Sequence, residues 1–103
     1  MSKYLLLYAG GSMPETDEQR DAVMKAWDGW FHTLGKALVD GGNPNSASTK
    51  ITADGSITSG AGDASGYSVI EADSLDAATD LAKGCPVLQG GASVSVFETF
   101  EVM

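Results

Sequence analysis

The sequence has 103 residues, of which 6 are lysine or arginine and 14 are aspartate or glutamate, so its net charge is −8 at neutral pH. A chain of this length makes one domain, and we expect that domain to cover residues 1–103. The negative charge repels phosphate backbones and anionic headgroups, and no apolar run approaches the roughly 20 residues that cross a bilayer. We therefore expect neither nucleic acid nor a membrane as a partner.

The sequence contains one cysteine, Cys85, and one histidine, His32. This count excludes an intrachain disulfide and any site built from several cysteines, and it predicts neither a metal site nor a bound cofactor. The segment Met1-Ser2-Lys3 leads directly into a strand-like run without a small-residue cleavage site, so we expect a cytoplasmic protein.

The first half of the chain predicts a strand followed by a long helix. Tyr4–Ala9 is a short apolar run bounded by glycines, and it predicts a strand that is apolar on both faces. A helix is predicted over about residues 16–40, since acidic and capping residues precede it and the turn at 41–44 (GGNP) ends it. At 100° per residue its buried stripe consists of Val23, Trp27, Trp30, Leu34 and Leu38.

The second half predicts three further strands and a helix. Thr49–Thr58 holds two short alternating segments around Asp-Gly, which indicates a second strand and its return. The small, polar stretch Ser59–Gly66 is typical of a mobile surface loop, which could close over a site. Gly66–Ala72 then predicts the third strand, Asp73–Gly84 the second helix, and Ala92–Val102 the final strand.

The predicted order βαββαβ indicates an α+β fold, the ferredoxin-like sandwich, with two helices on one face of a four-stranded antiparallel sheet. The other sheet face has no helix to cover it, although apolar side chains point to both faces. An exposed apolar face of this size is unusual for a monomer. The sequence therefore predicts a homodimer formed through the helix-free sheet face.

Several segments, read together, resemble the YCII-related family, specifically the branch called DGPF-domain proteins. They are the start at 3–8 (KYLLLY), then 27–44 (WDGWFHTLGKALVDGGNP), 66–78 (GYSVIEADSLDAA) and 81–91 (LAKGCPVLQGG) with the strand that follows. The resemblance implies a dimeric α+β barrel. In the wider superfamily it also implies small-molecule lyases or isomerases, including dehydrochlorinases, that use a histidine and an aspartate near the first helix. Here the corresponding stretch Met24–Asp28 contains no histidine, and the Asp-Gly-Pro-Phe signature is replaced by the loop Ser59–Gly66.

Six residues are candidates for binding a small ligand in a pocket between the first helix and the sheet. Aromatic rings favour a ring-containing ligand, and polar groups at the end of the helix favour hydrogen bonds at the pocket mouth. The six residues are Tyr8, Trp27, Phe31, Asp40, Asn43 and Tyr67. Core packing and an ordinary helix stop explain the same residues, and both interpretations stay open.

Two carboxylates, Glu71 and Glu98, are candidate catalytic residues. By alternation each shares a strand face with apolar neighbours, and a carboxylate in apolar surroundings has a raised pKa that suits a general base. A position at a solvated strand end is the alternative. His32 with Asp28, four residues apart on a helix, and the Cys85 thiol are further candidates, for which the sequence favours a solvated pair and a structural thiol.

Three functions are compatible with these residues. The first is an isomerase or lyase acting on a small, ring-containing molecule, with Glu71 or Glu98 as proton acceptor and Tyr8 or Tyr67 orienting the substrate. The second is a non-catalytic dimer that binds a metabolite or regulates through it. The third is a structural interaction module without a ligand.

Overall fold

The structure is a computed structural model, and it describes residues 2–11, 14–59 and 64–102. Within these ranges six strands and two α-helices follow one another in the order β1 Ser2–Ala9, α1 Asp17–Leu34, β2 Leu38–Asp40, β3 Thr49–Ile51, β4 Ile57–Ser59, β5 Gly66–Ala72, α2 Leu75–Ala82 and β6 Ser93–Glu98. Two 3₁₀ turns, Gly35–Ala37 and Pro86–Gly90, follow the two helices.

Four of the strands form one antiparallel sheet in the order β2-β5-β1-β6. The two central strands are β1 and β5, and Tyr4 faces Ile70 on one side and Glu98 on the other. The predicted α+β, ferredoxin-like architecture is confirmed, because this strand order with two helices on one face is what two right-handed βαβ connections produce.

The core lies between the helices and one face of the sheet. Side chains alternate along β1, so Tyr4, Leu6 and Tyr8 are buried while the residues between them are only half-buried. The helices cover this face with Trp30 and Leu34 from α1 and with small alanines from α2. Ser74 caps the start of α2, since its hydroxyl accepts the N–H of Ala77.

The opposite face of the sheet, which we call the open face, carries the side chains that alternate with the buried ones along each strand. On it Leu5 faces Val69 and Phe97, Leu7 faces Tyr67, and Lys3 faces Glu71. The open-face side chains of the central strands β1 and β5 are half-buried by their neighbouring strands. Phe97 on the edge strand β6 is 48% exposed. The sequence therefore predicted its apolar character correctly.

The predicted helix over residues 16–40 is wrong at its C-terminal end, because α1 stops at Leu34. Gly35 has a φ of +54°, a left-handed conformation that side chains disfavour, and its N–H closes the helix on the carbonyl of Phe31. The chain then forms the short edge strand β2. As a result, Leu38 lies in a strand rather than in the helical stripe, and Val23 at the other end of that stripe is 41% exposed.

The prediction for Thr49–Thr58 identified a real hairpin but assigned it to the wrong sheet. β3 and β4 pair only with each other among the described strands, and β2 takes the place of the predicted second strand. The final strand is also shorter than predicted, since β6 ends at Glu98 and leaves Phe100 83% exposed. Half of the predicted loop Ser59–Gly66, residues 60–63, lies outside the described residues, and its two ends belong to β4 and β5.

The chain exposes more surface than a single domain of its size normally does. Its accessible area is 7399 Å², whereas a monomer of 10.6 kDa has about 5,500 Å². Its radius of gyration is 15.0 Å, against about 13 Å for a compact domain of this length. Within the described ranges, neither helix combines the length and the apolar character that crossing a membrane requires.

Candidate functional site

A cluster of four aromatic rings lies between α1 and the end of β1. Trp27 is the central ring, with its centroid 5.5 Å from those of Tyr8 and Phe31 and 5.6 Å from that of Trp30. Trp30 is buried, and its indole N–H donates to the carbonyl of Leu81 at 3.1 Å. Trp27 and Phe31 are only half-buried, so part of each ring surface is available to a ligand.

Beneath the rings a short chain of hydrogen bonds enters the sheet. The Tyr8 hydroxyl donates to Ser68 Oγ at 2.7 Å, and the Ser68 hydroxyl donates to the carbonyl of Gly41 at 2.7 Å. Burial raises the pKa of Tyr8 well above its ordinary value, so its phenol is a neutral hydrogen-bond donor at every physiological pH. Ser68 is fully buried, and these two bonds satisfy its polar group.

The turn that follows β2 crosses the same end of the sheet. A Cβ built on Gly41 would lie 3.1 Å from the Phe31 ring, which places the turn beside the aromatic cluster. Asp40 stabilises the turn because its Oδ1 accepts the N–H of Gly42 at 2.9 Å. Asn43 is exposed, and its neighbour Pro44 bridges to β5 at Gly66.

The structure thus brings four of the six predicted ligand-binding residues to one place, which we call the aromatic end. It consists of Tyr8, Trp27 and Phe31 with Asn43 of the turn after β2. The other two point to the open face, since Asp40 pairs with Val69 and Tyr67 pairs with Leu7.

The two predicted catalytic carboxylates lie on opposite faces of the sheet. Glu71 is half-buried on the open face opposite Lys3, whereas Glu98 is on the helix-covered face, where the hydroxyl of Tyr4 donates to its Oε1 at 2.9 Å. Burial, followed by this hydrogen bond to Glu98, raises the pKa of Tyr4. Tyr4 and Tyr8 are four residues apart on one strand, about 13 Å, so Glu98 is at the other end of the face from the aromatic cluster.

A surface depression of about 370 Å³ lies next to Glu98. Its walls come from the start of β1, the last residue of β6 and the segment after it, namely Ser2, Lys3, Glu98, Thr99, Phe100 and Glu101. Thr99 joins the two segments, since its N–H and its hydroxyl both donate to the carbonyl of Lys3, at 3.0 and 2.7 Å. The Glu98 side chain is exposed there, which agrees with the alternative of a solvated strand end.

Two other candidates have ordinary structural surroundings. His32 and Asp28 are both exposed on α1. Cys85 is buried and free, and burial raises the pKa of its thiol, which disfavours the reactive thiolate. In the described part of the chain no group of three or more histidine, cysteine, aspartate or glutamate side chains could hold a metal ion.

Sequence reasoning missed Ser68 and Tyr4. A signal for Ser68 was present, because it alternates with Gly66 and Ile70 on the side of β5 that faces the helices, where a hydroxyl needs a partner. No such signal exists for the Tyr4–Glu98 pair. It depends on the register between β1 and β6, and their partners are 94 residues apart in the chain.

Comparison with known proteins gives a likeness of fold. No protein-family model matches the sequence, and no curated protein matches it either. A solved structure of 5-chloro-2-hydroxyhydroquinone dehydrochlorinase from Burkholderia phenoliruptrix, in complex with 2,5-dihydroxybenzoquinone, matches with a TM-score of 0.56 and 18% identity. The match covers 96% of this chain and 93% of that chain. The two chains therefore share an α+β fold over nearly their whole length, which is the fold that the family resemblance implies.

Proposed function

We propose that this protein binds a small ring-containing molecule at the aromatic end and processes it by lyase or isomerase chemistry. The observation that carries the proposal is the convergence there of two half-open rings, Trp27 and Phe31, with the buried phenol of Tyr8. Binding sites for small molecules are mostly apolar with a few fixed polar groups, and this arrangement has that character. The dehydrochlorinase of the same fold, whose structure holds a hydroxylated benzoquinone, adds support.

The rings and the phenol have different roles in this proposal. A planar ligand would contact the open surfaces of Trp27 and Phe31, where ring–ring contacts contribute about 0.5–1.5 kcal/mol beyond apolar burial. Tyr8 would orient the ligand by accepting a hydrogen bond at its hydroxyl oxygen, because its single proton is donated to Ser68 Oγ and its raised pKa keeps that proton in place. The exposed Asn43 would supply polar groups at the mouth.

Binding is tested with 2,5-dihydroxybenzoquinone and substituted hydroquinones as probes, measured by quenching of tryptophan fluorescence. We expect Tyr8→Phe to raise the Kd of a bound probe about 10-fold, the effect of one hydrogen bond worth about 1.4 kcal/mol. Tyr4→Phe is the matched control, since it also removes a buried hydroxyl from the same strand face but about 13 Å away. Equal effects of the two variants, or no binding of any ring-containing probe to the wild type, would contradict the proposal.

Lyase and isomerase chemistry also needs a proton acceptor. Glu71 and Glu98 stay predictions for that role, but neither lies at the aromatic end. Asp40 begins the turn beside that end, at the edge of the sheet and on the side of Val69. We expect Asp40→Asn to lower kcat on a turned-over substrate about 100-fold, the usual contribution of a general base, and to change binding by only a few-fold. If Glu98→Gln or Glu71→Gln causes that loss instead, the acceptor is the residue changed.

A non-catalytic, ligand-binding dimer is the second candidate. The separation of Glu71 and Glu98 from the rings favours it, because the carboxylates that the sequence marks as bases do not face the proposed ligand. Both functions predict that a ring-containing probe raises the melting temperature. Turnover of that probe separates them, since only the enzyme converts it.

The dimer belongs to the same proposal. The open face carries Leu5, Leu7, Val69 and Phe97 in adjacent strands, and both described helices pack on the opposite face. The large accessible area of the chain supports a partner on this face, and a two-fold axis would place the same patch of a second copy against it.

A further inference from the structure

We propose that the β3–β4 hairpin is an arm that packs its isoleucine face against a second copy of this chain. This inference rests on the proposed dimer and goes beyond it, because the hairpin is not part of the four-stranded sheet. The arm is the segment Thr49–Ser59, which leaves the sheet after β2 and returns to it at β5.

The hairpin is a regular element rather than a loose loop. Ile51 pairs with Ile57 next to a tight turn, and the N–H of Thr52 donates to the carbonyl of Ser56 at 2.9 Å. The turn is fixed by Asp54, whose carboxylate accepts hydrogen bonds from the Thr52 hydroxyl and the Ser56 N–H. These bonds lower the pKa of Asp54 to about 2. An arm that is already ordered loses little conformational entropy when it binds.

The exposed side of the hairpin is apolar in an unusual way. Ile51 and Ile57 are cross-strand neighbours, so their side chains share one face, and they are 69% and 71% exposed. A two-stranded hairpin is marginally stable by itself in water, and an uncovered pair of isoleucines does not help it. An ordered hairpin with this face therefore needs a surface to cover it.

Area and charge both point to a second copy as that surface. The chain exposes about 1,900 Å² more than a monomer of its mass, whereas a standard interface takes about 800 Å² from each partner. The excess is thus large enough for the hairpin as well as the open face. The hairpin contains one lysine, Lys50, and one aspartate, Asp54, so it has no net charge and can approach an acidic copy of charge −8 without repulsion.

The dimer Kd, measured by sedimentation equilibrium at 150 mM salt, tests the arm. We expect Ile51→Thr with Ile57→Thr to raise the dimer Kd at least about 30-fold, because two-fold symmetry removes four apolar contacts while the β-branched threonines keep the strands. The matched control changes the opposite face of the same two strands without changing the charge, Lys50→Arg with Thr58→Ser, and leaves the Kd within about 3-fold. Far-UV circular dichroism establishes that both variants are folded.

Hydrogen exchange of the wild type gives a second measurement that needs no variant. Amides of Thr49–Ser59 gain protection as the protein concentration rises through the dimer Kd, if the arm is covered by the second copy. The arm is overturned, and the sheet dimer stands, if the wild type is dimeric, the double threonine variant has the same dimer Kd, and the hairpin amides gain no protection in the dimer. A wild type that stays monomeric overturns both, so the two failures are distinguishable.

Discussion

Replacing Gly42 by alanine is expected to destabilise the fold by about 3 kcal/mol or more, since it combines backbone strain with a backbone clash. Gly42 has a φ of +72°, and a Cβ built there would overlap the carbonyl oxygen of Tyr67 in the adjacent strand. The turn would have to move away from β5, which would break the path from Gly41 to Ser68 and Tyr8. Thermal unfolding measures the loss, about 4–8 °C per kcal/mol in a domain of this size.

Gly91→Ala provides the matched control for this prediction. Gly91 has a comparable φ of +86°, but a Cβ there would meet no atom within 4 Å. Only the strain of a left-handed residue remains, about 1 kcal/mol. Similar losses in the two variants would show that the contact between the turn and β5 does not hold the aromatic end together. Probe binding to Gly42→Ala at low temperature, where the variant is still folded, shows whether the displaced turn also weakens the site.

The fold was predictable from the sequence where the hydrophobic pattern of an element and the turn or capping residues that bound it agree. Tyr4–Ala9 and Gly66–Ala72 are apolar, strand-forming and bounded by turn residues, and the structure places both at the centre of the sheet. Helix α2 has a serine cap and a proline beyond its end, and these local signals fixed it to within two residues. Each of these features is decided by a few neighbouring residues, which is why sequence reasoning finds it.

The prediction failed where a short element depends on distant partners. Leu38–Asp40 continues the helical spacing of α1, and three residues are too few to show a strand period. Gly35 carried the only local signal for the end of α1, and a glycine inside a helical pattern does not decide between a stop and a tolerated interruption. The edge strand β2 forms because its backbone pairs with β5. The pairing joins Leu38 to Ile70, a residue far along the chain, so no local pattern indicates it.

The candidate site was predicted by residue type and only partly by position. Tyr8, Trp27 and Phe31 were expected to line one pocket, and the structure brings their rings together. The faces of Glu71 and Glu98 follow from alternation within each strand, but their relation to each other does not. That relation depends on which face of each strand the helices cover, and the alternation of side chains along a single strand does not show this.

The two leucines at the centre of β1 are expected to respond to truncation in different ways. Leu6 is fully buried between the sheet and the helices, so Leu6→Ala leaves a cavity and destabilises the subunit by about 3 kcal/mol. Leu5 points to the open face and is half-buried in the lone chain, so Leu5→Ala has a small effect on the subunit itself. In a dimer that buries the open face, Leu5→Ala weakens association about 10- to 100-fold.

Chemical denaturation at several protein concentrations separates these two effects. The loss in the free energy of unfolding caused by Leu6→Ala is the same at every protein concentration, since the cavity lies inside one subunit. The loss in Leu5→Ala grows with concentration, because the wild type gains stability from association by mass action and the variant gains less. If Leu5→Ala instead causes a large loss in the free energy of unfolding that does not depend on protein concentration, the open face is part of a core within one subunit. An apolar sheet face with no helix over it would then need a cover from the chain itself, and the proposed dimer would lose its physical basis.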